Sequence, residues 1–283
     1  MKTSRQLKDL IRNIVNDKSV EPHILMRSYM MERFLERISL SIYNTNFILK
    51  GGMLVASMVG LSARSTMDMD TTVKGIPISM ESIEKIINEI ITIPLNDGLS
   101  FTIKGISEIM EESEYSGVRI SLESVFDGIK TPLKLDISTG DIITPKEIDY
   151  EYKLMFDDRD IHILAYNIET VLAEKLETII SRGITNTRIR DFYDVFTLQL
   201  LYSDRIDSIG FRNALMATSK KRGSYLILPD AENIFKEISI DIDMQRLWTD
   251  YQKKFKYALG IDWNDIINAV KKLYLTFNDK MTF

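Results

Sequence analysis

The chain contains no cysteine, which excludes disulfide scaffolds, thiolate zinc sites, iron–sulfur ligation and cysteine nucleophiles. Histidine is nearly as scarce. His23 and His162 are the only two, so a histidine-rich metal site cannot be built and a Ser-His-Asp triad has two candidates for its base. Carboxylates must therefore carry any metal chemistry. Excess positive charge is also missing: 36 Lys and Arg stand against 41 Asp and Glu, for a net charge of −5. With no global basic field, a polynucleotide must meet a local patch. The longest uncharged, apolar-leaning stretch near the front, residues 51–63, is too short for a membrane span. Residues 1–9 read as mixed polar helix rather than an apolar signal core. No membrane partner and a cytoplasmic location are expected. Internal repeats and low-complexity segments are absent.

What is present is ordinary globular material, 283 residues with 45% hydrophobic and 27% charged, enough for a sizeable core and, by length, for two domains. Periodicity predicts helices over 4–16 and 21–43, with Pro22 in the first turn of the second. A short strand over 46–49 then ends at Gly51-Gly52, followed by a helix over 53–61, a strand over 67–73 and a helix over 82–91. Strands follow over 101–106, 118–123 and 132–138, the last two alternating apolar and polar. Glu108, Glu111, Glu112 and Glu114 form an acidic run that reads as a solvated loop or hairpin tip. After residue 168 the pattern is helical only, with periods over 169–182, 187–202, 208–218, 230–238, 241–258 and 262–278. The expected fold is α+β, a mixed sheet flanked by helices over 1–165 and a helical domain over 166–283.

Asp68 and Asp70, one residue apart in a predicted strand, project from one face and can share hard cations. Asp-x-Asp recurs at Asp158/Asp160, in a charged loop run, and at Asp241/Asp243, at a helix start where acids suit the dipole. Both of those have bland explanations. Asp68/Asp70 differs because a strand and Lys50-Gly51-Gly52 precede it, and two glycines before a helix let backbone N–H groups approach a phosphate. Asp136, on the polar side of a strand otherwise devoted to core, is the candidate third acid. Three carboxylates suit Mg²⁺, or Mn²⁺, over zinc, and such ions serve phosphoryl chemistry on a nucleoside triphosphate.

Lys50-Gly51-Gly52, the run 64–70 (Arg64, Ser65, Thr66, Met67, Asp68, Met69, Asp70), Lys134 to Ile137, Leu172 to Leu176 and Arg190 to Val195 occur in an order that resembles the AbiEii-type toxins of the polymerase-beta-like nucleotidyltransferase superfamily. The resemblance spans most of the chain. It implies a nucleotidyltransferase-fold sheet and a toxin of a bacterial toxin–antitoxin abortive-infection system acting against phage. The implied reaction moves NMP from an NTP, GTP among the options, to RNA, with the tRNA 3′ end as acceptor. An AbiEi-like DNA-binding antitoxin is the implied partner. The superfamily's glycine turn reads Gly-Ser with a shorter spacer to the acids; here it is Gly51-Gly52, and backbone N–H groups or the hydroxyls of Ser65 and Thr66 take the serine's place.

Lys175 falls inside the apolar stripe of Leu172, Leu176, Ile179 and Ile180. A snorkelling lysine would explain it; the resemblance makes it a catalytic-site residue binding NTP phosphates. Asp191 and Asp194 lie three apart on the next helix, where Arg190 can pair with Asp194 across a turn. The resemblance places an essential acid there, Asp191 first and Asp194 second, orienting Lys175. Arg182, Arg188 and Arg190, and Lys220, Lys221 and Arg222, form two basic groups with Tyr193 and Tyr225 as nearby stacking faces, an RNA footprint if not simply solvated. Met30, Met31, Trp248, Tyr251, Phe255, Tyr257 and Trp263 read as core. Two other functions compete: a small-molecule nucleotidyltransferase of the antibiotic-modifying kind, and an NTP-binding module that does not turn over.

Overall fold

The computed structural model describes residues 3–17, 20–109 and 117–278. The chain divides into two compact units, Met1–Asp141 with Glu147–Tyr166, and Ile142–Lys146 with Asn167–Phe283.

The first unit is built on a seven-stranded mixed sheet. Its elements run α1 (Ser4–Asp17), α2 (Pro22–Leu40), β1 (Phe47–Lys50), α3 (Gly51–Val59), β2 (Met69–Val73), α4 (Met80–Ile91), β3 (Leu99–Ile109), β4 (Gly117–Phe126), β5 (Ile129–Thr139), β6 (Ile148–Lys153) and β7 (Asp160–Ala165). Strand order is β3-β4-β5-β2-β1-β7-β6. β1 runs parallel to β7 and β2 parallel to β5, while the remaining neighbours are antiparallel. Alternation decides the faces. In β5, Leu133, Leu135 and Ile137 are buried, whereas Lys134, Asp136 and Ser138 are half-buried on the other side. Met31 and Phe34 of α2 meet Met69, Leu122, Leu133 and Leu135, so the apolar face lies under α2.

The second face of α2 is unusual, because Glu32, Arg33, Glu36 and Arg37 are all buried. Each of these side chains has a polar partner, as burial requires. Arg37 makes a two-pronged contact with Asp97 at 2.8 and 2.9 Å. Arg33 pairs with Glu36 and Asp157, Arg159 reaches Glu36, and Glu32 accepts the Met155 N–H.

The second unit is helical: α5 (Ile168–Arg182), α6 (Ile189–Tyr202), α7 (Ser208–Lys221), α8 (Ala231–Ile240), α9 (Ile242–Lys254) and α10 (Trp263–Asn278). Short polar side chains start three of these helices. Asn167, Asp207 and Asp241 each accept a backbone N–H of the first turn. Asp241 is thus a cap, as its place in the sequence suggests.

Several expectations need correction. The helix expected over 21–43 stops at Leu40, and the strand expected from residue 67 begins at Met69, leaving Asp68 just outside it. The glycine pair does not form a separate turn but opens α3 itself. The stretch 148–165 holds a hairpin, β6 and β7, that periodicity did not reveal, and Asp160 opens β7 rather than lying in a loop. The helix expected over 241–258 breaks after Lys254, continuing as a 3-10 turn over Lys256–Ala258. Glu108 belongs to β3; Glu111, Glu112 and Glu114 lie outside the described residues.

Candidate functional site

Register brings distant residues together in the first unit. Lys50 on β1 faces Asp70 on β2, Asp70 faces Asp136 on β5, and Asp136 faces Arg119 on β4. Residues directly opposed across strands share a face. Four neighbouring strands therefore carry a row of charges: cation, anion, anion, cation.

The two acids of the row are treated differently. Asp136 accepts both prongs of Arg119, Nε at 2.8 Å and Nη2 at 2.9 Å. The Lys134 ammonium stands between Asp136 and Asp68, 3.4 and 3.6 Å from their oxygens. Asp70 lies against the start of α3, where Gly52 N–H donates to its Oδ2 at 3.4 Å. Burial pushes the Asp70 carboxyl above its ordinary range; Lys50 and the Gly52 N–H oppose that rise, and Asp136 and Asp68 add to it. Beside it, the Lys50 ammonium donates to Asp141 at 2.6 Å, and the Ser138 hydroxyl donates to the same oxygen at 2.6 Å. Burial alone would raise the Asp141 carboxyl, but the charge and hydrogen bond of Lys50 with that of Ser138 hold it below the usual range.

The glycines are required by close approach. Gly51 has φ +64°, and a Cβ there would sit 2.3 Å from Asp70 Oδ2. A Cβ on Gly52 would meet Thr66 Oγ1 at 2.7 Å and an Arg64 guanidinium nitrogen at 2.8 Å. Thr66 thus places its hydroxyl where a serine in the glycine turn would need room. That hydroxyl also donates to the Asp68 carbonyl at 3.1 Å, and Arg64 donates to the Ser65 carbonyl at 2.7 Å. Arg64, Ser65 and Thr66 are all buried.

The second unit gathers the other expected residues. Lys175 is buried in α5 and does not snorkel; its ammonium donates to Asp191 at 3.0 Å and to Asp194 at 2.6 Å. Both acids are buried on α6, and Arg188 Nε lies 2.8 Å from Asp191. Arg190 lies over the Phe255 ring. Tyr193 is buried in the aromatic cluster, so it offers no stacking face. Arg222 is held by Glu174 and Glu177, while Lys220 lies over the exposed Tyr225. Sequence reading missed the parts that Arg119, Lys134, Lys50 and Asp141 play. Arg119 and Lys134 each occupy a polar position in an alternating strand, which is a signal, but only the register shows which acid each one meets.

The sequence matches the family described as nucleotidyl transferase AbiEii toxin, type IV toxin–antitoxin system, over residues 33–269. The chain belongs to that family. It is accordingly a nucleotidyltransferase-family toxin, for which a nucleotide substrate and an antitoxin partner follow. A Helicobacter pylori structure described as a nucleotidyltransferase is 16% identical, covering 93% of this chain and all 100% of its own, at a TM-score of 0.52. The H. pylori protein JHP933 is likewise 16% identical, over 92% of this chain and 96% of its own, with a TM-score of 0.51. These likenesses show the fold. No curated protein matches the chain. Among the described residues no helix is long and apolar enough to cross a membrane.

Proposed function

We propose that the chain transfers a nucleoside monophosphate from an NTP, GTP among the options, to an RNA acceptor, the tRNA 3′ end in the first instance. The toxin would act in abortive infection against phage and be restrained by an AbiEi-like DNA-binding antitoxin. The observation that supports this most is the placing of Asp70 against the Gly51-Gly52 start of α3, in register with Asp136. The two glycines put no side chain of their own at this helix start, so its backbone N–H groups, one of them now donating to Asp70, could meet a triphosphate, with carboxylates adjoining.

The donors suit Mg²⁺ or Mn²⁺, being oxygen only. The ammonium of Lys134 between Asp68 and Asp136 supports a cation on this face. As the side chains stand, no three acids among the described residues are gathered round one point, and Asp136 is engaged by Arg119. Asp68 and Asp70 would hold the ion, and Asp136 would join on release from Arg119. Bound there, a divalent cation would neutralise phosphate charge and lower the pKa of an incoming hydroxyl. The chain's own part is to bind and orient: Gly51 and Gly52 by close backbone approach, Thr66 and Ser65 by their hydroxyls, Lys175 as a phosphate-binding cation held by Asp191 and Asp194.

The test is labelling of total cellular RNA by the purified protein with each of the four NTPs and Mg²⁺. Labelled RNA, lost in Asp68→Ala, is expected. A mass shift on a small hydroxylated substrate with RNA untouched, or nucleotide affinity without product, would overturn the RNA reading.

A further inference from the structure

The basic-aromatic surface of the second unit is not where the sequence placed it. With Tyr193 buried and Arg222 held by two glutamates, the candidate stacking face shifts to the segment that ends α9. Phe255 is half-buried, and two cations lie on its ring, Arg190 at 5.2 Å and Lys254 at 5.5 Å from the centroid. Tyr257 stacks on it, with centroids 5.4 Å apart and planes at 23°. Lys253, Lys254 and Lys256 around it are exposed.

We propose that Phe255, with Arg190 and Lys254, is a seat for one unpaired base of single-stranded RNA and its flanking phosphates. The assignment rests on the RNA-acceptor reading for the nature of its ligand. An exposed lysine head resting on a half-open ring is a flexible group that a base can displace, after which the ammonium is free to meet a phosphate. The chain as a whole is acidic, so binding must come from such a local arrangement. The surface also adjoins the buried cluster of the same unit. Tyr257 and Tyr251 share a hydrogen bond at 3.0 Å, and Asp194 acts electrostatically on Tyr251. The path from the seat to Lys175 thus runs Phe255, Tyr257, Tyr251, Asp194.

Fluorescence anisotropy with the full chain and a fluorescein-labelled single-stranded RNA of about 12 nucleotides, several times the length that one stacking seat engages, tests this. Phe255→Ala should weaken binding about ten-fold while Phe255→Trp keeps it, the loss expected of one base–aromatic stack. Lys254→Glu, at an exposed position, should also weaken binding. Lys254→Gln should reduce the salt slope by about 0.7, one single-strand phosphate contact. Wild-type affinity in both Phe255→Ala and Lys254→Glu overturns the proposal, as does an equal effect on duplex RNA. Phe255-dependent binding by a protein that transfers no label would leave the seat standing and overturn the transfer reading. Labelled RNA with unchanged affinity in the variants would do the reverse.

Discussion

Arg119 and Asp136 face each other on neighbouring strands and are joined by two parallel hydrogen bonds of 2.8 and 2.9 Å. A two-pronged guanidinium–carboxylate contact fixes both partners in angle as well as distance. It holds the second acid of the row in place and, at the same time, occupies it. Arg119→Ala is expected to tighten Mn²⁺ binding by roughly ten-fold, about 1.4 kcal/mol, measured by electron paramagnetic resonance titration. Adding Asp136→Asn should remove the gain. An Arg119→Ala protein with unchanged affinity would show that Asp136 has no part in holding the cation.

Gly51→Ala should abolish transfer. The positive φ costs about 1–2 kcal/mol for a side-chain-bearing residue, and its Cβ would collide with Asp70 Oδ2. The measurement is initial rate alongside thermal melting, with activity falling far more than stability.

Gly52→Ser makes the glycine turn Gly-Ser but sets its Cβ against Thr66 Oγ1 at 2.7 Å. On its own it should lower activity. Combined with Thr66→Ala, which removes one of the two close neighbours, leaves one hydroxyl in the region and asks only the Arg64 guanidinium at 2.8 Å to give way, it should recover part of the rate. If the double variant is no better than the single, the two hydroxyls are not interchangeable.

Lys175 donates to two buried carboxylates, so Lys175→Met strands charge that costs about 3–5 kcal/mol. Chemical denaturation should show that loss. Lys175→Met combined with Asp191→Asn and Asp194→Asn should regain stability while remaining inactive; activity in the triple variant would reduce Lys175 to a structural role.

Glu32 carries a pH dependence of its own. Burial, opposed by the Met155 N–H and Arg33 and reinforced by Asp157 and Glu36, lifts its pKa from 4.5 to about 8. The folded state therefore holds the proton more tightly than the unfolded chain. The stability this confers is complete below pH 4.5, declines as pH rises, and is gone above about 8. Glu32→Gln should melt higher than wild type at the alkaline end of that window, the gap closing toward the acid end. A constant difference across the range would show that Glu32 does not titrate there.

Much of this protein is written in local pattern. Apolar spacing marks α1, α4, α5 and α10, because an amphipathic helix repeats its buried face every three to four residues. The alternation of Leu133, Leu135 and Ile137 with Lys134, Asp136 and Ser138 marks β5 and its wet face. Candidate acids and the glycine pair are legible for the same reason: each is an exception to its local pattern. What the pattern could not contain is partnership. That Asp136 belongs to Arg119, that Lys50 serves Asp141 beside Asp70, and that Thr66 fills the space above Gly52 follow from strand register and from the approach of α3. Those relations join residues up to 91 positions apart, and no local period encodes them. The hairpin of β6 and β7 was hidden likewise: β6 is an edge strand with little buried face, and only the pairing of β7 with β1 gives the hairpin its place.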